Sequence, residues 1–167
     1  MRAVIQRVTR ARVTVDDRSA DPSADPSADT ETVGEISAGL LAYIGVADGD
    51  GEDEARWLAT KIAQLRIFPD DEGRFAHSLI ESGGAALIVS QFTLLADTRR
   101  GRRPSFTSAA PPEVASTLVD LLADELRALG IDVEGGRFGA HMLVTSENDG
   151  PVTIMLDSDD RERPRRG

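Results

Sequence analysis

Cysteine is absent from this chain of 167 residues. Its absence excludes a disulfide framework, a thiolate metal site and a cysteine nucleophile, and it suits a reducing compartment. Histidine occurs only as His77 and His141. With no thiolate to join them, both are read as structural or surface residues, and no metal site is expected. Lysine is nearly missing: of 19 basic residues, only Lys61 is not arginine. Long hydrophobic runs are lacking too. The longest nearly unbroken apolar stretch, Gly39 to Ala47, falls far short of the ~18 residues a spanning helix needs. The first thirty residues hold no apolar block of the kind a signal peptide carries. No Gly-x-Ser-x-Gly elbow and no P-loop occurs. The expectation is a soluble cytoplasmic protein with no membrane contact, no metal and no cofactor.

What the chain does have is negative charge, a net of −10 from 29 acidic and 19 basic residues. Taken whole, that argues against non-specific binding to DNA or RNA. The charge is uneven, however. Asp16 to Thr32 holds six acids against Arg18 alone, half of the net charge in one short piece. Arg2, Arg7, Arg10 and Arg12 open the chain with no acid among them, and Arg99, Arg100, Arg102 and Arg103 fall within five positions. Arginine is the better residue for forked phosphate contacts, although a chain-wide preference for arginine over lysine gives the same count.

The length suits one domain with a core of its own. Met1 to Val15 is predicted as strand, either a hairpin or one bent strand, because Ala11, Val13 and Val15 alternate with polar residues. The repeated Ser-Ala-Asp-Pro that follows has no aliphatic residue larger than alanine, so it cannot bury enough surface to offset its ordering entropy. A disordered acidic insert over about 17–32 is expected. Strand resumes over Val33 to Ala47. Helix is expected from Gly49 to Phe68, with acids crowding its start and Pro69 stopping it. Two strands, Phe75 to Glu81 and the very apolar Ala85 to Phe92, follow. A second helix runs from Pro111-Pro112 to Leu129, closed by Gly130. Short closing strands are read at Ile131 to Val133, Ala140 to Val144 and Val152 to Leu156. The sum is a mixed α/β fold with a largely antiparallel sheet and two main helices, because several connections are too short for a parallel crossover. One domain over 1–158 and a charged flexible tail over 159–167 are expected.

Three segments carry polar chemistry. Ser90-Gln91-Phe92-Thr93 ends the most apolar strand, where backbone N–H groups come free and two hydroxyls and an amide can hold a polar ligand. It can equally be a strand that turns polar as it leaves the core. Asn148-Asp149-Gly150-Pro151 is a hairpin turn by composition, or a rigid wall of main chain that a ligand can approach closely. Arg99-Arg100-Gly101-Arg102-Arg103 is a solvated charge run or a phosphate grip.

With these segments in view, the sequence resembles the D-aminoacyl-tRNA deacylases. The likeness runs through MRAVIQRV at the start, SQFTL from Ser90, RRGRRPSF from Arg99, FGAHMLV from Phe138 and NDGPVTIMLDS from Asn148. The acidic insert and the charged tail depart from the pattern but interrupt no block. The resemblance implies that family's fold, with a barrel-like core, and a homodimer with no cofactor. It implies hydrolysis of the ester that joins a D-amino acid, or glycine mischarged on tRNA-Ala, to the 3′ adenosine of tRNA. Ser90, Gln91, Phe92 and Thr93 are then the catalytic segment. A Gly150–cis-Pro151 wall from the other subunit, oriented by Arg7, excludes L residues. Phe138 and Met142 belong to the adenosine pocket, and Arg99, Arg100, Arg102 and Arg103 contact tRNA phosphates.

The chemistry is compatible. An aminoacyl ester is activated, and its neighbouring ribose hydroxyl can assist hydrolysis, so the protein must mainly position the ester and stabilise an oxyanion. Thr93 as a covalent nucleophile ranks lower, since no base is close to it in sequence. A non-catalytic RNA-binding module on the same scaffold and a small-molecule Ser or Thr esterase are the rival readings.

Overall fold

The computed structural model describes residues 1–16, 30–99 and 101–162. Its frame is one long strand, β1 (Arg2–Asp16), paired antiparallel on both edges. One edge carries β2 (Thr30–Ile36) and β3 (Gly39–Gly45), two halves of one partner broken at Ser37 and Ala38. The other carries β8 (Met142–Asp157). Beyond β3 the sheet turns parallel, through β6 (Ala85–Ser90) and then β7 (Val133–Gly135). The sheet curls until β7 meets β2. A Cβ on Gly34 would lie 2.5 Å from the Gly135 carbonyl oxygen, so only glycine permits that approach. The barrel-like, mixed sheet is thus the expected fold.

One face of the sheet is covered by α1 (Glu52–Gln64) and α3 (Pro112–Ala128). Leu58, Ile62, Leu122 and Leu126 pack there on Ala3, Ile5, Leu40 and Ile44, all fully buried, and each large side chain contributes roughly 1.5–3 kcal/mol. The opposite, concave face holds a smaller core of Val8, Ala11, Val13, Leu41, Leu87 and Val89. β1 feeds both cores because its register against β8 shifts between Val8 and Arg10. An inserted residue flips the alternation of side chains, so Ala3 and Ile5 face the helices while Ala11 and Val13 face the second core.

The structure departs from several expectations. Of the two forms expected at the start of the chain, the single bent strand is the one found, as β1, and the departures lie elsewhere. β2 begins at Thr30, within the stretch expected as loop, and Thr30, Glu31 and Thr32 pair with Asp16, Val15 and Thr14; β-branched threonine and an open strand edge favour that ladder. Residues 17–29 of the insert lie outside the described residues. The strand expected over Phe75 to Glu81 is short, β5 (Phe75–His77), hairpinned to β4 (Phe68–Pro69). A brief helix, α2 (Leu79–Ser82), replaces the rest. Ser78 accepts from the Glu81 amide while the Glu81 carboxylate accepts from the Ser78 amide, a capping box already spelled by Ser-x-x-Glu. The two strands expected on either side of Asn148–Pro151 are one, β8, which bulges at that point and continues. Ordered chain also runs past 158, because Ser158–Glu162 forms a 3-10 turn and Arg161 reaches Glu54 at 2.7 Å. Residues 163–167 lie outside the described residues. No helix among the described residues is long and apolar enough to cross a membrane.

Candidate active site

β3 and β6 are parallel, so their carboxyl ends emerge together, Ile44 opposite Ser90. Such a pair of ends leaves backbone groups free for a ligand. The Gln91 amide N–H still bonds the Ile44 carbonyl at 2.7 Å, and the chain then winds into a 3-10 turn, Phe92–Leu95. Ser90 thus ends the strand and Thr93 lies in the turn, so the two do not follow the alternation of one regular strand. Phe92 and Thr93, first in the turn, have N–H groups with no acceptor inside it. The Gln91 side-chain amide donates a short hydrogen bond to the Thr93 hydroxyl. No carboxylate or imidazole touches that hydroxyl among the described residues. Phe92 is 57% exposed, so the turn lies on open surface.

The Gly150–Pro151 segment sits elsewhere. Its peptide bond is cis and Gly150 has φ +119°, a conformation L side chains rarely adopt. A Cβ there would come within 2.7 Å of Val152 Cγ2 and 3.0 Å of Arg7 Nη2. Arg7, only 7% exposed, therefore lies directly against Gly150. Its Nη1 donates to the Ile67 carbonyl at 2.6 Å. Its Nε forms a 2.8 Å ion pair with Asp149, off the direction of a good hydrogen bond. The Phe75 ring packs on the guanidinium with its centroid 5.8 Å away. Asn148 staples the bulge: its side-chain amide donates to the carbonyls of Arg7 and Val152 at 2.9 and 3.0 Å. Nothing in the sequence points to Phe75, whose contact depends on the β4–β5 hairpin folding back over β1.

The two segments do not meet within one chain. From Ser90 the path to Gly150 crosses β3 and β1 to β8, and β1 separates Ala3, opposite Ile44, from Val8, opposite Asn148. At ~4.8 Å per strand and ~3.3 Å per residue the separation is on the order of 20 Å. Phe138 is 41% exposed, and no contact among the described residues brings it to either segment, whereas Met142 reaches toward the end of β6. Met142 packs against Gly136, whose N–H bonds the Ile88 carbonyl two residues before Ser90.

The basic loop is closed at its base by paired backbone bonds between Asp97 and Ser105, 2.8 and 2.9 Å. Arg99 turns back onto Asp97 at 2.7 Å, and its side chain and backbone N–H hold the Asp97 carboxyl well below the usual carboxylate range. Arg102 and Arg103 are exposed and make no ion pair among the described residues. Arg100 lies outside them. A cavity of about 720 Å³ lined by Glu35, Asp132 and Glu134 also includes Ala85, at the other end of β6 from Ser90, and belongs to neither segment.

A family model described as D-Tyr-tRNA(Tyr) deacylase matches residues 4–157. Proteins named D-aminoacyl-tRNA deacylase from Roseiflexus sp. (strain RS-1) and Chloroflexus aurantiacus are 59% and 55% identical, over 99% of this chain and 98% and 96% of theirs. The solved structure of the c-Myc DNA Unwinding Element Binding Protein is 35% identical with a TM-score of 0.80, covering 94% of this chain and 98% of its own. A probable eukaryotic D-amino acid tRNA deacylase shares the fold at a TM-score of 0.74 and 20% identity, over 93% and 97% of the two chains. Sequence and fold agree along nearly the whole length, and the chain belongs to the D-aminoacyl-tRNA deacylases, a family of hydrolases.

Proposed function

We propose that the protein hydrolyses the ester between a D-amino acid, or glycine, and the 3′ adenosine of tRNA in the cytoplasm, and spares L-aminoacyl-tRNA. The observation that carries this reading is the separation of the two segments. Gly150 and Pro151 are locked by Arg7 yet lie far from the catalytic turn of their own chain, so they serve the turn of a second copy. A two-fold dimer makes that exchange reciprocal. Exposed Leu143 and Met155 on β8, the latter 78% exposed, supply apolar surface for such a contact. The domain that does this spans 1–158, with the Ser158–Glu162 turn packed against it.

At the composite site the amides of Phe92 and Thr93 face the ester carbonyl and stabilise the developing oxyanion. Gln91 and Ser90 hold the amino-acid end. The partner copy's main chain at Gly150–Pro151 occupies the space an L side chain needs, while a D side chain points away from it. Phe138 and Met142 receive the adenosine. Water attacks with help from the ribose hydroxyl. The Thr93 oxygen accepts a hydrogen bond from Gln91 and has no base among the described residues to take its proton, which disfavours a covalent threonine.

Turnover on matched D- and L-aminoacyl-tRNA tests the reading. The D ester is cleaved and the L ester spared, and Thr93→Ala keeps that preference. Cleavage of neither ester favours an RNA-binding module instead, and loss of all activity in Thr93→Ala favours the covalent route.

Phosphate contacts come from Arg99, Arg100, Arg102 and Arg103, with unequal weight, since Arg99 is already paired with Asp97. In binding titrations against salt, Arg102→Ala and Arg103→Ala each flatten the log–log slope by about 0.7, as expected for one single-strand phosphate contact. Arg99→Ala changes it less. Equal slopes for all variants would remove the loop from the RNA interface.

A further inference from the structure

The base of the basic loop carries an aromatic pair that the active-site reading leaves unused. Phe106 meets Phe92 edge to face, ring centroids 5.0 Å apart and planes at 71°. The segment from Phe106 to Ala109 is held by three hydrogen bonds. The Phe106 carbonyl accepts from the Ala109 amide at 3.0 Å, Ser108 Oγ donates to the Leu95 carbonyl at 2.9 Å, and the Asp48 amide donates to the Ser108 carbonyl at 2.9 Å. Phe92, over half exposed, thus presents an open ring at the surface with the edge-to-face Phe106 ring against it. The same loop carries Arg102 and Arg103, exposed and without an ion-pair partner among the described residues. An open aromatic ring on a loop that also carries exposed guanidinium groups is how proteins hold single-stranded nucleic acid: the base stacks, and arginine tracks the backbone.

We propose that Phe92 and Phe106 form a stacking platform for the unpaired nucleotide just upstream of the esterified adenosine, with Arg102 and Arg103 on its phosphate. This rests on the proposed deacylase reading and adds to it. Phe92 begins the catalytic turn, so a base stacked on its ring sits next to the reacting ester. The phosphate between that base and the adenosine falls on the side of the loop. Phe106 is a positioning residue, acting through the Phe92 ring. The platform also explains how a net-acidic protein selects a single-stranded end: a small aromatic and basic patch is enough.

Substrate length separates this role from a merely structural one. On the unaltered protein, a D-aminoacyl dinucleotide, one nucleotide longer than the D-aminoacyl-adenosine ester, is expected to have a KM lower by about tenfold, the value of one stacked base. Phe106→Leu removes most of that gain while leaving the adenosine ester unaffected, and Phe106→Tyr, which keeps a ring, restores it. Equal KM for both substrates on the unaltered protein overturns the platform without touching the deacylase reading. So does a Phe106→Leu variant equally impaired on both, or one that changes the oligomeric mass, since the ring would then support the turn or a subunit contact. Cleavage of neither substrate, nor of D-aminoacyl-tRNA, brings down the deacylase reading and the platform together.

Discussion

Replacing Arg7 by Lys is expected to lower kcat/KM on D-aminoacyl-tRNA by about 100-fold and to narrow the gap between D and L substrates. The charge survives the change, so the effect tests geometry. Arginine here performs three tasks with one planar group. It donates to Ile67, pairs with Asp149 and lies under Phe75 while its Nη2 flanks Gly150. An ammonium is a point charge with no plane to stack and no fork to share between partners on different sides. It satisfies either the Ile67 carbonyl or Asp149 and vacates the space beside Gly150. A shift of the main-chain wall by ~1 Å suffices for a 100-fold loss when catalysis depends on placement. Steady-state kinetics on both enantiomers check this, with a thermal melt to show that the variant is folded. An unchanged D rate with L still rejected would mean that the wall does not depend on Arg7.

Most of the fold is legible because periodicity and punctuation agree. Pro111-Pro112 and Gly130 bracket α3, and the acids before Ala55 mark the start of α1. The failures have local causes. Asn, Asp, Gly and Pro in succession have the composition of a hairpin turn, yet β1 offers an unbroken partner, so β8 bulges and continues. Composition cannot report that a partner strand is available. Ser78 to Glu81 was within reach, since its capping box outweighs the apolar pattern that suggests strand.

The candidate site is legible in kind but not in arrangement. Ser90 to Thr93 stands out as a strand end. That the chain coils at Phe92, bringing Gln91 onto Thr93, depends on a 3-10 turn that no residue there announces. The basic loop reads as four equivalent arginines, whereas Asp97 claims Arg99. Pairings of that kind depend on side-chain direction, which spacing alone does not specify.

The other large effect lies far from the reacting groups. Asp50→Asn is expected to cost about 3–5 kcal/mol of folding stability. The Met1 ammonium is fully buried, with Asp50 Oδ1 at 2.6 Å and the Ser158 hydroxyl close by. The other Asp50 oxygen accepts from the Ala47 amide at 2.5 Å. Asparagine keeps the shape and loses the charge, leaving a buried ammonium without its contacting anion and with Glu54 only at longer range. Removing one partner of a buried pair is far more costly than the pair's net worth, because desolvation of the remaining charge is no longer offset. For a chain of this size the melting temperature should fall on the order of 10 °C. Ser158→Ala, which removes only a neutral acceptor, should cost about 1 kcal/mol. Denaturant melts with unchanged m-values check both. An Asp50→Asn loss no greater than that of Ser158→Ala would mean the ammonium finds water instead. The same junction holds the first residue before β1 to the first after β8, through the Ser158 amide on the Met1 carbonyl. Those two strands also carry Arg7 and Gly150. Well below its lowered melting temperature, Asp50→Asn should nonetheless retain near-normal kcat and D-selectivity, since the folded molecules keep the Arg7 clamp. Arg7→Lys should show the reverse, a fold that persists and a selectivity that does not.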